Sequence, residues 1–511
     1  MYYDLIESLG ENDLPIEPYV PVRPEKQDYF NKLMALIVTK SVTVIIPQDD
    51  DVDGFSCSYA VKDTINYLNP RVDVRVYVPD EKKHGVDTDF VEYVKSLNLP
   101  IKPIIFVMDS SSDCLDTLME LSKIAEVIHI DHHLSNNEEE LNEICRFHAN
   151  CRYEEDERLN HMSAGFYVQL FLHHFIKENT QYSDNVLDHL FSLGTLSLVA
   201  DVCDTQLPYH KSIIQHFTRL RELHPLLDCF RDRFTSTNLY FLAFKVAPKF
   251  NMLFRLRLVE ILRQIHETPK TELNNIIQDV IGMYTNFRCA IENSLDYITI
   301  YDYDRLCTAN VSYINDIYPI FKGKISNFTG WYANKISQQL GKPCIAVCLV
   351  DGTAIKGSVR DCTGGDVHSI MESISFVEGG GHPSAYGFTS DISHYDELLY
   401  LFHEKYKTNT SLALRTANIS SLNEITLIAK CGEIHKFCEY NEFTLNKRLG
   451  FLYTVRPSDI IDYYEKRTVL KTTDIQITCF NTELKAGDTL EITPEYSQGG
   501  IKYLANVIQV S

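Results

Sequence analysis

The chain has 511 residues, of which 44% are hydrophobic, 23% charged and 11% aromatic, a composition typical of globular proteins. Its length favours two to four domains. The formal net charge of −22 argues against a protein that coats nucleic acid by bulk electrostatic attraction. It does not exclude a nuclease, because a cleft can be locally positive inside an acidic body.

The N-terminus and the cysteines indicate the cellular compartment. The first fifteen residues are acidic and show no basic stretch before an apolar run, so we expect no signal peptide. The sequence has no apolar run of about eighteen residues, and we therefore expect no membrane span. Fourteen cysteines without a CxxC pair favour reduced thiols. Together these features predict a cytoplasmic protein.

The first part of the chain alternates short apolar runs with helical patterns. Strands are predicted at Ser41–Pro47, Val72–Val78, Ile101–Met108 and Ala125–Ile130. Helices are predicted at Ser56–Tyr67, Asp87–Leu97, Cys114–Ser122, Ser163–Phe175 and Asn185–Leu198. This alternation predicts an α/β domain, at residues 1–210, with a parallel sheet covered on both faces.

Three further domains are predicted beyond this one. Residues 211–295 are mainly helical, most clearly at Arg255–Ile265, and predict a helical connector. Residues 296–407 predict a second α/β domain, with a helix at Ser326–Leu340, a strand at Cys344–Leu349 and a turn at Gly379–Gly381. Residues 408–511 predict a small β-rich domain, either a barrel or a sandwich. Its predicted strands are Glu424–Cys431, Leu449–Val455, Thr473–Phe480, Thr489–Thr493 and Tyr503–Val510.

A run of carboxylates follows the first predicted strand. The segment Gln48–Gly54 reads QDDDVDG and places four carboxylates in five positions, which would repel one another without cations. In an extended turn Asp49, Asp51 and Asp53 alternate and point the same way, which suits a hard cation. Taken alone, the run also fits a solvated acidic loop or a calcium loop.

Acidic and imidazole residues also follow two later strands. Asp109 follows the third strand, Asp131-His132-His133 the fourth, and Asp201 follows an apolar helix. A lone Asp109 also fits a helix cap. Parallel sheets, however, place their binding sites at the carboxyl ends of strands. Carboxylates and imidazoles without cysteine suit Mn²⁺ or Mg²⁺, and one shared carboxylate would hold two ions roughly 3.5–4 Å apart, as in phosphodiester hydrolysis.

These motifs, in this order, resemble the catalytic motifs of DHH phosphoesterases. Gly379-Gly-Gly-His382 resembles the hallmark of their DHH-associated domain. Within the superfamily the chain is similar to RecJ, an exonuclease that degrades single-stranded DNA. Ala247–Asn251 followed by Arg255 is similar to the RecJ segment Ala-Pro-Arg-x-Asn-Ala-x-Gly-Arg, and Ser358-Val-Arg360 to Ser-x-Arg-Ser. Gly381–Gly387 is similar to Gly-His-x-x-Ala-Ala-Gly. With gaps, the resemblance extends from about residue 41 to 388.

The resemblance implies a role for each motif. One cation would be bound by Asp49 and Asp51, a second by Asp53, His132 and Asp201, and both by Asp109. His133 would face the scissile phosphate, and Asp131 would orient the histidines. The residues that would bind backbone phosphate are Arg255, Ser358, Arg360, Gly380, Gly381 and His382. The β-rich tail lies where RecJ proteins carry an oligonucleotide-binding barrel.

The resemblance implies a two-metal exonuclease on single-stranded DNA, running 5′→3′ and acting in recombination, repair or replication. Mn²⁺ is favoured over Mg²⁺ and DNA over RNA, and replication or repair proteins are implied partners. Two alternatives stay open: a phosphodiesterase on short oligoribonucleotides or cyclic dinucleotides, and a catalytically inactive replication scaffold. The connector and the tail favour the exonuclease over a small-substrate enzyme.

Four departures from RecJ leave the substrate end and polarity open. Gln48 and Asp50 replace Gly and Tyr in the first motif, and Asp361 replaces a Ser. Pro79-Asp-Glu81 stands where RecJ tends to have Pro-Asn-Arg, unless Lys82 or Lys83 replaces that arginine.

Overall fold

The computed structural model describes residues 18–40, 42–81, 85–179, 184–201, 203, 207–231, 238–303, 305–362, 365–382, 384–406, 415–418, 449–456, 460–464, 467–471, 476–480, 484–497 and 500–509. The described residues up to Tyr284 form one compact unit, and those from Thr285 onwards form another. The four-domain division stays a prediction. Within the described ranges, every helix is too short or too polar to span a membrane.

The first unit is built on a five-stranded sheet in the order β2-β1-β3-β4-β5. Its strands are β1 (Val44–Pro47), β2 (Val74–Tyr77), β3 (Ile104–Met108), β4 (Glu126–Asp131) and β5 (Phe147–Asn150). All neighbouring strands are parallel, which confirms the predicted parallel sheet. The sequence did not predict β5.

Both faces of this sheet are buried, as expected of parallel strands with near-continuous apolar sequences. Ile45 and Val127 pack with Phe90 on one face, while the alternating residues Val44 and Ile128 are also buried. The helices of this part of the chain are Pro24–Thr39, Val52–Leu68, Thr88–Ser96, Leu115–Ile124, Glu138–Ile144, Ala164–Asn179, Asp184–Ala200, Pro208–Phe217, Pro225–Asp228, Ala247–Arg255, Val259–Glu267 and Leu273–Ser294, with a π-helical turn at Phe241–Val246.

The single helix predicted at Arg255–Ile265 is wrong. One helix ends at Arg255 and the next begins at Val259. Between them Arg257 has a φ of 55°, a left-handed conformation that interrupts an α-helix.

The second unit contains a six-stranded sheet in the order β10-β11-β9-β8-β7-β6. Its strands are β6 (Ile300–Asp302), β7 (Cys307–Asn310), β8 (Cys344–Val350), β9 (Ala354–Arg360), β10 (Glu378–His382) and β11 (Ala385–Asp391). Its helices are Ile314–Ile317, Thr329–Leu340, Val367–Glu372 and Tyr395–Lys405. This arrangement of helices and strands agrees with the predicted second α/β domain.

The turn predicted at Gly379–Gly381 is wrong, because these residues form β10, antiparallel to β11. The glycines allow the two strands to approach closely. A Cβ on Gly379 would lie 2.1 Å from the carbonyl oxygen of Gly387, and one on Gly381 would lie 2.1 Å from that of Ala385. Larger residues at these two positions would force the strands apart.

The C-terminal strands form a seven-stranded sheet in the order β12-β13-β17-β18-β16-β15-β14. They are β12 (Arg415–Asn418), β13 (Leu449–Thr454), β14 (Ile460–Tyr464), β15 (Arg467–Lys471), β16 (Gln476–Phe480), β17 (Thr489–Ser497) and β18 (Gly500–Gln509). Within the described part of the tail, the outermost strands β12 and β14 do not pair with each other. The β-rich character is confirmed, whereas the barrel stays a prediction, and the strand predicted at Glu424–Cys431 lies outside the described residues.

Candidate metal centre and phosphate-binding residues

The carboxylates of the first motif lie where the strand order of the sheet reverses, between β1 and β3. The strand order β2-β1-β3 places β2 on one side of β1 and β3 on the other, and a crevice forms at the carboxyl ends of strands at such a point. Asp49 and Asp51 follow β1, and Asp109 follows β3. One side-chain oxygen of each lies within 4.8 Å of those of the other two.

A helix begins between Asp51 and Asp53 and separates their side chains. Asp51 caps the helix Val52–Leu68, because its carboxylate accepts a hydrogen bond from the Gly54 N–H at 3.0 Å. Asp53 lies in the first turn of that helix. The predicted extended turn with three parallel carboxylates is therefore wrong, and Asp53 joins a different group of side chains.

Asp53 is held at the N-terminus of the helix Ala164–Asn179. Its carboxylate accepts hydrogen bonds from the backbone N–H of Ala164 at 2.9 Å and of Gly165 at 2.7 Å. Ser197 Oγ donates a third at 2.5 Å. A Cβ on Gly165 would lie 2.9 Å from Asp53 Oδ1, so glycine permits this approach. The helix N-terminus favours the ionised carboxylate.

Asp53, His132 and Asp201 form a second group whose ligand atoms lie within 4.8 Å of one another. His132 Nδ1 donates to the Met162 carbonyl at 3.1 Å, which leaves the lone pair on Nε2. Nε2 lies 3.2 Å from Asp109 Oδ1 and 4.0 Å from Asp53 Oδ2. Burial lowers the pKa of His132, so the ring is neutral, as a metal ligand must be.

Asp109 lies between the two groups and has an unsatisfied oxygen. Its side chain is buried, and Oδ2 has no hydrogen-bond partner among the described residues. Burial, followed by the carboxylates of Asp53 and Asp51, raises the pKa of Asp109 well above its usual range. Burial and Asp201 do the same for Asp53. Such crowding is unfavourable without a counter-charge, so these donors, chiefly oxygen with one imidazole, fit divalent cations.

Asp131 and His133 form an ion pair behind this centre. Asp131 accepts hydrogen bonds from His133 Nδ1 at 2.8 Å, from the His132 N–H at 2.7 Å and from Ser112 Oγ at 2.5 Å. Burial raises the pKa of Asp131, but the bonds from His133 and Ser112 outweigh it and hold the pKa well below its usual range. Burial lowers the pKa of His133, yet Asp131 raises it to about 9. His133 is therefore protonated at neutral pH, with its side chain 57% exposed.

Two partners of the first motif had no signal in the sequence. Arg257 Nη1 lies 2.6 Å from Asp50 Oδ1, and His266 Nε2 lies 2.5 Å from Gln48 Oε1. The departures from RecJ at positions 48 and 50 are thus both matched by contacts more than 200 residues away in the chain. Arg255, the predicted phosphate ligand of this unit, is half-buried at the end of its helix, and burial lowers its pKa.

In the second unit, Ser358 and Arg360 lie on β9 beside the N-terminus of the helix Thr329–Leu340. Thr329 Oγ1 is 3.0 Å from Ser358 Oγ. A Cβ on Gly330 would lie 2.7 Å from Arg360 Nη2, so the guanidinium rests directly on that glycine. The sequence did not indicate Thr329 or Gly330.

The strand register aligns these residues with the glycine-rich hairpin. Ser358 pairs with Gly387, which pairs with Gly380, so the three form one row across β9, β11 and β10. A Cβ on Gly380 would meet no atom within 4 Å, and one on Gly387 would meet only the Gly380 carbonyl oxygen at 3.9 Å. The sheet is therefore open beside Ser358, and its backbone is accessible there.

A second row contains Arg360, Ala385 and His382, and the side chain of His382 lies outside the described part of the structure. Gly381 packs against β11, unlike the open Gly380. Asp361, the departure after Arg360, is buried and accepts hydrogen bonds from the Gly365 N–H at 2.7 Å and from Tyr406 Oη at 2.6 Å. Asp361 therefore stabilises the local fold. Lys82 and Lys83, the two candidates to replace the RecJ arginine, lie outside the described residues.

Comparison with known proteins identifies the fold. No protein-family model and no curated protein matches the sequence. Among solved structures, the chain is similar to RecJ from Thermus thermophilus in complex with Mn²⁺, with a TM-score of 0.70 and 14% identity over 96% of this chain and 72% of that one. It is also similar to exonuclease RecJ bound to manganese, with a TM-score of 0.55 and 16% identity over 77% of this chain and 97% of the other.

A DHH domain from a member of a family of ribosomal proteins matches with a TM-score of 0.53 and 12% identity, over 79% of this chain and 96% of that one. The parallel α/β sheet of the first unit is consistent with these similarities. The chain has the fold of RecJ-like proteins of the DHH superfamily.

Proposed function

We propose that the protein is a two-metal phosphodiesterase that degrades single-stranded DNA as a 5′→3′ exonuclease. The observation that carries this proposal is the buried Asp109, whose carboxylate joins the Asp49–Asp51 group and lies 3.2 Å from His132 of the other group. Its unsatisfied Oδ2 is best explained by a cation ligand. The solved RecJ structures with Mn²⁺ and with Mg²⁺ support these cations.

The residues of the first unit would divide the work as follows. Asp49, Asp51 and Asp109 would hold one cation, and Asp53, His132, Asp201 and Asp109 the other. Cations bound there would act as Lewis acids on the attacking water and the leaving oxygen of a phosphodiester. The protonated His133 would donate a hydrogen bond from Nε2 to a phosphate oxygen, while Asp131 keeps its ring oriented through the 2.8 Å bond at Nδ1.

The second unit would bind the nucleic-acid backbone. The open row at Gly387 and Gly380 would admit a phosphate close to the sheet, with Ser358 as a hydroxyl donor and Arg360 as the charged donor. Arg255 of the first unit and His382 remain proposed ligands on resemblance alone.

The proposal is tested by degradation of single-stranded DNA labelled separately at each end, with Mn²⁺ or Mg²⁺. Duplex DNA, short RNA and a cyclic dinucleotide are compared in parallel. We expect metal-dependent loss from the 5′ end, reduced on the order of 100-fold in Asp109→Asn. Asp113→Asn, an exposed carboxylate outside both groups, serves as the matched control and should leave the rate unchanged.

Other outcomes would replace this proposal with one of the alternatives. Cleavage of only short RNA or the cyclic dinucleotide would favour a small-substrate phosphodiesterase. Metal binding without any hydrolysis would favour a scaffold.

A further inference from the structure

Behind the metal centre lies a buried chain of hydrogen bonds formed by Glu138, His148 and His129. His129 and His148 are paired neighbours on the parallel strands β4 and β5, and their Nδ1 atoms are 2.9 Å apart. At one end, His129 Nε2 lies 2.9 Å from the Ser110 carbonyl oxygen. At the other, His148 Nε2 lies 2.9 Å from Glu138 Oε2. Neither histidine side chain is accessible to solvent.

The acceptors determine where the protons lie. The Ser110 carbonyl can only accept, so His129 Nε2 carries a proton. Burial lowers the pKa of His129 to about 4, so the ring is neutral and its Nδ1 accepts from the Nδ1–H of His148. One further proton lies between His148 Nε2 and Glu138. The bonds from His148 to His129 and from His129 to Ser110 therefore both donate towards Ser110, and because that end is a carbonyl the hydrogen-bond chain cannot deliver a proton to the metal centre.

The hydrogen-bond chain can instead hold the strained loop that contains Asp109 and Ser111 in its conformation. Asp109 and Ser111 have φ angles of 63° and 77°, in the left-handed region that is uncommon for residues other than glycine. Such conformations persist where the surroundings determine them. His129 donates its hydrogen bond to the carbonyl of Ser110, which lies between these two residues. The Asp109 N–H donates to the Ile130 carbonyl at 3.0 Å.

Glu138 also contacts, through Asn150, the loop that contains His132 and His133. Its second oxygen, Oε1, accepts from Asn150 Nδ2 at 3.2 Å, and the same Nδ2 donates to the His133 carbonyl at 2.8 Å. One partly buried carboxylate thus connects the loop of Asp109 with the loop of His133. The two loops follow different strands and both supply residues of the metal centre. The hydrogen-bond chain connects one loop with the other.

We propose that Glu138, His148 and His129 are positioning residues that set the distance between Asp109 and the His132–His133 loop and thereby the cation affinity of the centre. This inference rests on the proposed function, since it assumes that the centre binds cations. Residues that orient ligands from outside the coordination shell commonly change metal affinity by about 10- to 100-fold.

The test is Mn²⁺ binding to the full chain, measured by calorimetric titration. His129→Phe keeps a ring of similar size but removes the bond to Ser110, and we expect affinity to fall about tenfold or more. His173→Phe is the matched control, because His173 is a buried histidine in the same unit whose ring nitrogens have no partner among the described residues. It should bind Mn²⁺ like the wild type.

Two variants of Glu138 show whether its hydrogen bonds matter. Glu138→Gln can keep them, whereas Glu138→Ala removes them. The glutamine oxygen can accept from Asn150 while its N–H donates to an unprotonated His148 Nε2, so Glu138→Gln should retain wild-type affinity. Glu138→Ala should lose affinity as His129→Phe does, whereas Glu139→Ala, an exposed neighbour, should not. Wild-type affinity in His129→Phe, or equal losses in Glu138→Gln and Glu138→Ala, would overturn the inference.

A second readout separates failure of this inference from failure of the proposed function. If the wild-type chain binds no Mn²⁺, the proposed function is wrong. The positioning role is then tested by amide hydrogen exchange of residues 109–113 in the metal-free protein. Faster exchange in His129→Phe than in His173→Phe would support it, and equal exchange would refute it.

Discussion

The guanidinium of Arg257 donates a hydrogen bond to the buried carboxylate of Asp50, with 2.6 Å between Arg257 Nη1 and Asp50 Oδ1. Nη2 of the same arginine donates to the Pro79 carbonyl at 2.7 Å. Arg257 therefore connects the acidic loop after β1 with the loop after β2. Asp50 stands where RecJ typically has Tyr, and Arg257 places a positive charge beside this buried carboxylate.

Removal of Arg257 should lower the free energy of unfolding more than removal of a surface arginine does. Arg257→Met removes one partner of a buried ion pair, and we expect the free energy of unfolding to fall by roughly 3–5 kcal/mol. The double variant Asp50→Tyr/Arg257→Met should recover part of this loss. The measurement is urea denaturation of the full chain.

Arg263→Met is the control for this prediction. Arg263 binds Asp80 at 2.7 Å, but Asp80 is 79% exposed, so its loss should cost about 1 kcal/mol or less. Equal losses for Arg257→Met and Arg263→Met would show that the buried ion pair contributes no more than an exposed one.

Local sequence could predict the acidic centre but not what surrounds it. Asp49, Asp109 and Asp131 each follow or end an apolar strand, so their proximity follows from the topology of a parallel sheet. Arg257 contacts Asp50 across 207 positions of sequence, and no local pattern encodes such a pair. The strand β5 was missed because FHAN contains two polar residues, which are buried only through contacts with other elements.

Adjacent glycines of β10 should respond differently to the same substitution. A Cβ on Gly379 would lie 2.1 Å from the Gly387 carbonyl oxygen, whereas one on Gly380 would meet no atom within 4 Å. Gly379→Ala should therefore lower the unfolding temperature. Gly380→Ala should retain stability but weaken binding of single-stranded DNA, measured by fluorescence anisotropy, because a methyl group would occupy the open row. Unchanged binding in Gly380→Ala would exclude that row as a phosphate site.

Gly330→Ala tests Arg360 without removing its charge. The added methyl group would lie 2.7 Å from Arg360 Nη2 and should displace the flexible guanidinium. We expect KM for DNA to rise severalfold with little change in kcat, as for a lost binding contact. Gly282→Ala is the control, since a Cβ there meets no atom within 4 Å. An unchanged KM in Gly330→Ala would argue against phosphate binding by Arg360.

His173→Phe should stabilise the protein and reduce its sensitivity to acid. His173 stacks on Tyr19 with ring centroids 3.7 Å apart, but neither of its ring nitrogens has a partner among the described residues. Phenylalanine keeps the stacking and removes the unsatisfied atoms, a gain of about 1–3 kcal/mol. Burial lowers the pKa of His173 to about 3.

The sign of the pH effect follows from that pKa. Below about pH 6.5 the unfolded chain binds a proton at His173 that the folded chain does not, so stability falls as the pH drops from 6.5 towards 3. The unfolding temperature should decrease less between pH 7 and pH 5 in His173→Phe than in the wild type. An equal decrease would mean that His173 takes up its proton in the folded state.

Anomalous diffraction from crystals grown with Mn²⁺ would show whether two cations share the carboxylate of Asp109. We expect two manganese peaks roughly 3.5–4 Å apart, with Asp109 contacting both, Asp49 and Asp51 contacting one, and Asp53, His132 and Asp201 contacting the other. A single peak, or peaks that do not contact Asp109, would show that Asp109 does not bridge two cations.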